Sequence, residues 1–242
     1  MDIDFLRPDW PAPNNVHALQ TLRGGGVSRG VYTSLNLATH VADAEADVTE
    51  NRHRLRALLP SEPLWLNQVH GVDVVDAAHA CSGVSADAIY SRNPHTVCAV
   101  MTADCLPVLF CSDTGDVVAA AHAGWRGLAA GVLESTVAAM NVPAKRILAW
   151  LGPAIGPAVF EVGVEVRTAF VAKHTAAIHA FMLKENGRFL ADIYELARIQ
   201  LIELGVDRIF GGGNCTFSDS AQFFSYRRDG NTGRMATLVW IS

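Results

Sequence analysis

Residues 102–128, TADCLPVLFCSDTGDVVAAAHAGWRGL, constrain the fold most. Two apolar runs of equal length, 106–110 and 117–121, flank Asp113-Thr114-Gly115-Asp116. That tetrapeptide reads as a turn, because glycine reaches positive φ and aspartate bonds its own main chain. The stretch therefore predicts a buried β-hairpin. Cys105 precedes the first strand and His122 follows the second. Pairing the two runs end to end sets Cys105 opposite His122, and cross-strand side chains lie about 5 Å apart. One metal ion or one shared proton can serve both groups at that distance. Gly124 and Gly127 let a ligand approach the main chain, and a helix starting after Gly127 offers an anion-favouring N-terminus.

Around this hairpin the pattern alternates. Helices are predicted over 47–59, 128–140, 165–174 and 193–204. The first is capped by Asp47 or Thr49 and ended by Pro60, and the last is stopped by Gly205. Strands are predicted over 64–66, 72–75, 97–101, 148–151 and 207–210, with a second hairpin formed by 223–226 and 235–241. The 242 residues show no repeat and no linker-like shift in composition, so they form one domain. Adjacent hairpins with helices between them indicate a mixed-sheet α/β (α+β-like) domain, not a doubly wound parallel sheet.

Composition narrows the class of partner. Half the residues are hydrophobic, the net charge is −5, and no basic block occurs, so nucleic acid and anionic membranes are not expected partners. A few local arginines still suffice for a small anion. The N-terminus is acidic with no apolar segment after it, and no window of eighteen apolar residues exists. The expectation is a cytoplasmic monomer. Five cysteines without a Cys-x-x-Cys give neither a disulfide framework nor a zinc knuckle.

A third candidate ligand is His70, in the glycine-ended segment NQVHG at 67–71. Cys105, His122 and His70, from separated segments, suit a zinc site with three protein ligands and an open fourth position. His79, His95, His174 and His179 lack this setting and read as surface or structural.

The motifs TADCLPVL at 102–109, HAGWRG at 122–127, NQVHG at 67–71, TSLNL at 33–37, ENR at 50–52 and SYRRDG at 225–230 resemble the YfiH family. Its members have been called laccase-domain proteins, polyphenol oxidases, peptidoglycan editing factors and purine nucleoside phosphorylases. The resemblance runs from about Thr21 to Ile241 and departs from the family pattern at Gly211-Gly212-Gly213-Asn214. It implies mixed sheets sandwiched by helices, similar to a toxin-like cysteine hydrolase fold. The implied metal ligands are His70, Cys105 and His122, holding zinc, with copper as the alternative. The implied activities are phosphorolysis of adenosine, inosine and methylthioadenosine, and deamination of adenosine.

Those reactions make specific demands. Asp104 is the nearest carboxylate in sequence for moving a proton, although strand alternation can turn it away from the metal. Arg126, Arg227 and Arg228 are candidates for phosphate; Arg23 reads as a surface charge. Asn36 and Gln68 are candidate polar pocket groups, and Tyr226 or Trp125 can stack on a base. Two other readings stand beside this one. Cys105 with His122 can form the dyad of a cysteine hydrolase or a cell-wall-precursor amidase. A His-His-Cys set can hold copper for phenol oxidation. Laccase chemistry, however, takes several coppers, and the nine histidines contain no His-x-His.

Overall fold

The structure is a computed structural model and describes residues 3–242. In chain order its strands are β1 Phe5–Leu6, β2 Val16–Thr21, β3 Val74–Asp76, β4 Ala88–Ser91, β5 Cys98–Thr102, β6 Leu106–Ser112, β7 Val118–Ala123, β8 Ile147–Leu151, β9 Glu161–Val162, β10 Phe181–Leu183, β11 Phe189–Ala191, β12 Arg208–Gly211 and β13 Met235–Ile241. Its α-helices are α1 Glu45–Arg56, α2 Trp125–Ala130, α3 Val132–Met140, α4 Val164–Val171, α5 Ile193–Glu203 and α6 Tyr226–Asp229.

The predicted hairpin is β6–β7, and every residue of both strands is buried. Its register pairs Leu106 with Ala123 and Pro107 with His122. The hairpin therefore closes later than expected. The turn centres on Thr114 and Gly115, with Gly115 at φ +70° and the Ser112 hydroxyl accepting from Asp116 N–H. Cys105 lies just before β6 and is not directly opposite His122, which corrects the predicted pairing.

Both faces of the hairpin are apolar because each is covered. It lies inside a six-stranded sheet of order β12-β8-β6-β7-β4-β3, parallel at β12–β8 and β3–β4 and antiparallel elsewhere. Alternate residues of a strand face opposite ways. Val108 and Phe110 join Leu133 and Met140 of α3 and Leu196 and Leu201 of α5 in one cluster. Leu109 and Cys111 join Val100 of β5 and Val239 of β13 in another. The second cluster is the seam with a four-stranded antiparallel sheet, β1-β2-β13-β5. The outer side of that sheet packs Met101 and Leu238 against Leu35, Leu37 and Leu55 of α1. A mixed sheet and an antiparallel sheet thus lie between helices, in keeping with the α/β (α+β-like) architecture that the sequence and the resemblance implied. A small sheet, β10-β11-β9, extends from one end.

Several boundaries differ for local reasons. The predicted helix 128–140 starts earlier and breaks into α2 and α3 at Gly131, whose φ is +114°. Segment 223–226 is not a strand. Ser225 caps α6 by accepting from Arg228 N–H, and this capping overrides the β-propensity of the aromatic run. Neither Asp47 nor Thr49 caps α1, which begins after Ala44 with no side-chain cap. Segment 64–66 contributes only a bridge from Leu64 to Cys98. No helix of the described residues is long and apolar enough to cross a membrane. All five cysteines are free.

Candidate metal centre and its cavity

The site forms where three segments meet beside the end of β7. His122 is the penultimate residue of β7 and is 3% exposed. Cys105 sits in the turn before β6, and His70 in the loop before β3, where its own φ is +62°. The three donor atoms lie within 4.8 Å of one another. His70 Nε2 is 3.8 Å from Cys105 Sγ, and the two imidazoles meet edge to face with centroids 4.8 Å apart.

Asp87, fully buried just ahead of β4, builds this arrangement. Its carboxylate accepts from the main-chain N–H of Val69, His70 and Gly71 at 3.2, 2.9 and 2.6 Å. The same carboxylate is 2.7 Å from His122 Nδ1. One side chain therefore shapes the His70 loop and fixes the His122 ring, leaving Nε2 of His122 for the site. The glycines make the approach possible. A Cβ on Gly124 would stand 2.8 Å from His70 Cδ2 and 3.0 Å from Cys105 Sγ, and one on Gly127 would stand 2.8 Å from Gly71 O.

Charge follows from this geometry. Burial alone would raise the Cys105 thiol, but the His122 and His70 imidazoles outweigh it and bring the pKa down to about 6. Burial alone would lower His122, but Cys105 and Asp87 raise it to about 9. Burial pushes Asp87 up, and its bonds to His122, Gly71 and Val69 more than offset that, leaving it below the usual carboxylate range. A thiolate and two imidazoles, one held by a carboxylate, form a donor set suited to zinc or copper. The residues fit a metal ion with a position left open for another ligand. Among the described residues this is the one cluster of three such donors.

The trio lies in a cavity of about 450 Å³, within the range of small-molecule sites. Trp125, Phe160 and Tyr226 supply aromatic faces; Arg126, Arg227 and Arg234 supply positive charge. Gln68 also lines the cavity, with both amide atoms clamping β5 through Met101 N–H and O.

Other predicted residues take different roles. Asp104 lines the cavity, but Thr216 Oγ1 and Arg227 N–H donate to its two oxygens, each at 2.6 Å. It tethers α6 to the turn, and neither oxygen stands without a partner. Arg228 is outside the cavity, donating to the carbonyls of Thr216, Phe217 and Phe223 and to Asp229. Arg23 braces Thr33 O and Ser220 O. Asn36 is fully buried behind the cavity, accepting from Ala38 N–H and Arg234 N–H.

Sequence reasoning missed Asp87, Arg234, Phe160 and Thr102. An aspartate inside the apolar run SADAIY was a signal for a paired buried carboxylate. Thr102 lines the cavity, is 2% exposed, and its Oγ1 has no hydrogen-bond partner among the described residues.

Fold and site together define a mixed α/β protein built around a His-Cys-His cluster that could hold a metal ion, in a cavity of small-molecule size. Residues 17–242 match the family described as multi-copper polyphenol oxidoreductase laccase. A Pseudomonas aeruginosa protein named purine nucleoside phosphorylase is 58% identical, with 98% of each chain covered. An Escherichia coli protein named purine nucleoside phosphorylase YfiH is 56% identical over 98% of each chain. Among solved structures, a Neisseria meningitidis protein of family DUF152 superposes with TM-score 0.95 at 53% identity, covering 98% of this chain and 99% of that one. YlmD from Geobacillus stearothermophilus gives 0.87 at 30% identity, covering 98% and 96%. The chain belongs to the YfiH, or laccase-domain, family of enzymes.

Proposed function

We propose that this chain is a zinc-dependent purine nucleoside enzyme. It carries out phosphorolysis of adenosine, inosine and methylthioadenosine, and deamination of adenosine. The observation that carries this reading is the cavity itself, where aromatic faces and three arginines surround the His-Cys-His cluster. The relatives named purine nucleoside phosphorylase support it.

In phosphorolysis a phosphate oxygen bonds the sugar C1′, the bond from C1′ to the purine nitrogen breaks, and the base leaves with a proton. The chain's part is to bind both reactants and orient them. Trp125, Phe160 and Tyr226 offer π-faces for a purine. Exposed Arg126 and Arg227 draw phosphate to the mouth. His70, Cys105 and His122 would hold the metal. Bound zinc supplies a Lewis acid and lowers the pKa of its water towards neutrality, the chemistry that hydrolytic deamination requires. Asp87 keeps His122 in one tautomer and orientation. The one cluster of three such donors among the described residues disfavours a multi-copper oxidase, since oxygen reduction of the laccase type takes several coppers.

A second reading has its own observation. Cys105, His122 and Asp87 stand in the order of a thiolate, imidazole and carboxylate triad. A cysteine amidase acting on wall precursors would use that chain and would not need His70. Chromatography of products from adenosine, inosine and an alanine-bearing muramyl nucleotide, each with and without phosphate, separates the readings. The nucleoside reading expects ribose 1-phosphate only when phosphate is present, and inosine from adenosine in either case. Cleavage of the muramyl nucleotide alone would replace it.

A further inference from the structure

Arg234 is the least exposed of the three cavity arginines, and its position is unusual. It directly precedes β13, whose first residue, Met235, pairs with Thr102 at the end of β5. The register thus brings Arg234 beside the Ala103-Asp104-Cys105 turn, and it lines the same cavity as the metal ligands.

Its side chain is half-buried, unlike the exposed Arg126 and Arg227. No carboxylate of the described residues reaches it within ion-pair distance. Nη1 is occupied, donating to Thr232 O at 2.7 Å and Gly233 O at 3.1 Å. Nε and Nη2 donate to no group of the described residues. The guanidinium lies 5.8 Å from the Tyr226 ring centroid. Its main chain is pinned too, because Arg234 N–H donates to Asn36 Oδ1 at 3.0 Å. Asn36 is itself fixed, donating to Ala38 O and Asp43 Oδ2, and Asn51 Nδ2 donates to its carbonyl.

The Cys105 thiolate and the Asp104 carboxylate act on it only at longer range, without a direct ion pair, and a partly desolvated cation with no paired anion gains from a ligand that supplies one. A guanidinium with Nε and one Nη free presents the fork that matches two oxygens of a tetrahedral oxyanion. Arg126 and Arg227 are less suited to hold one. Arg126 stacks over Trp125 at 4.5 Å, and Arg227, whose Nη1 is also occupied by a carbonyl, is exposed where Arg234 is half-buried. Exposed charges bind weakly and are screened by salt.

We propose that Arg234, positioned by Asn36, is the side chain that seats inorganic phosphate in the cavity. Arg126 and Arg227 steer the anion in from the rim. The identity of the anion rests on the nucleoside reading; the presence of an oxyanion seat at Arg234 does not.

The test is phosphate binding by calorimetry, with thermal denaturation over a phosphate series. It compares the wild-type chain with Arg234→Gln, Arg234→Lys and Arg126→Gln, after equal metal content has been confirmed. Phosphate should raise the wild-type Tm, since a ligand that binds only the folded state stabilises it. Arg234→Gln should weaken phosphate binding at least tenfold. Arg234→Lys, which keeps the charge but loses the fork, should fall between, and it carries the test if the glutamine variant does not fold. Arg126→Gln should cost only a few-fold, and less at high salt. Wild-type affinity in both Arg234 variants, or complete loss in Arg126→Gln alone, would overturn the assignment. Kinetics keeps the two claims apart. Phosphate bound through Arg234 without nucleoside turnover removes the nucleoside reading and leaves the seat. Nucleoside phosphorolysis with an unchanged KM for phosphate in Arg234→Gln does the reverse.

Discussion

Asp87 and His122 are joined 2.7 Å apart with both side chains out of solvent, and the same carboxylate gathers the three main-chain N–H groups of Val69, His70 and Gly71. A single residue, absent from the donor set, therefore positions two of its three members. Asp87→Asn should reduce metal affinity about 10–100-fold, the usual cost of losing such a partner. Competition against a chromophoric chelator reads this directly. Metal affinity equal to wild type would mean that the loop and ring hold their positions without the charge.

The Cys105 thiol should be reactive at low pH once metal is removed by chelation. Its pKa is brought to about 6, so alkylation should rise with a midpoint near pH 6, well below an ordinary thiol. The stability of the metal-free chain follows the same pair. A depressed thiol contributes above its unfolded pKa and loses that contribution as pH falls through about 6. A raised imidazole contributes below its unfolded pKa and loses that contribution as pH rises through about 9. The two shifts describe one interaction, so metal-free stability should be greatest between about pH 6 and 9. A Tm that climbs steadily from pH 5 to 10 would rule this pairing out.

Gly124→Ala tests how closely the ligand loops must approach. The added Cβ meets His70 Cδ2 at 2.8 Å and Cys105 Sγ at 3.0 Å, so at least one donor has to shift. The variant should fold, since φ at Gly124 is −60°, and yet lose most of its bound metal in elemental analysis. Full metal content would show that the cluster has more room than its atoms indicate.

Thr102→Val removes a buried hydroxyl that has no hydrogen-bond partner among the described residues and keeps the side-chain shape. Replacing an unsatisfied polar group by a methyl is neutral or stabilising by about 1 kcal/mol. Thermal denaturation should show an unchanged or higher Tm; a drop of several degrees would mean that the hydroxyl has a structural bond.

The hairpin and the clustering of His70, Cys105 and His122 were legible because their signals are local. Cys105 and His122 flank apolar strands, and His70, like His122, stands close before glycine. The register was misjudged because it depended on whether the turn centred before or on Thr114-Gly115, which the apolar runs do not decide. Asp87 was hidden because its partners lie 16 to 35 residues away in sequence. Arg228 and Arg234 carry identical side chains near the same turn. Only the tertiary fold turns one towards backbone carbonyls and leaves the other in the cavity. Asn36, a candidate pocket group from the sequence, does not line the cavity; its Oδ1 accepts from the N–H of Arg234, which does.

The central claim is that His70, Cys105 and His122 bind one metal ion together. Elemental analysis of the purified wild-type chain beside His70→Ala, Cys105→Ala and His122→Ala tests it most directly. The account predicts close to one zinc per wild-type chain and a near-complete loss in each variant, His70→Ala included. A wild-type chain that takes up no metal, or a His70→Ala chain that retains it in full, would contradict the account.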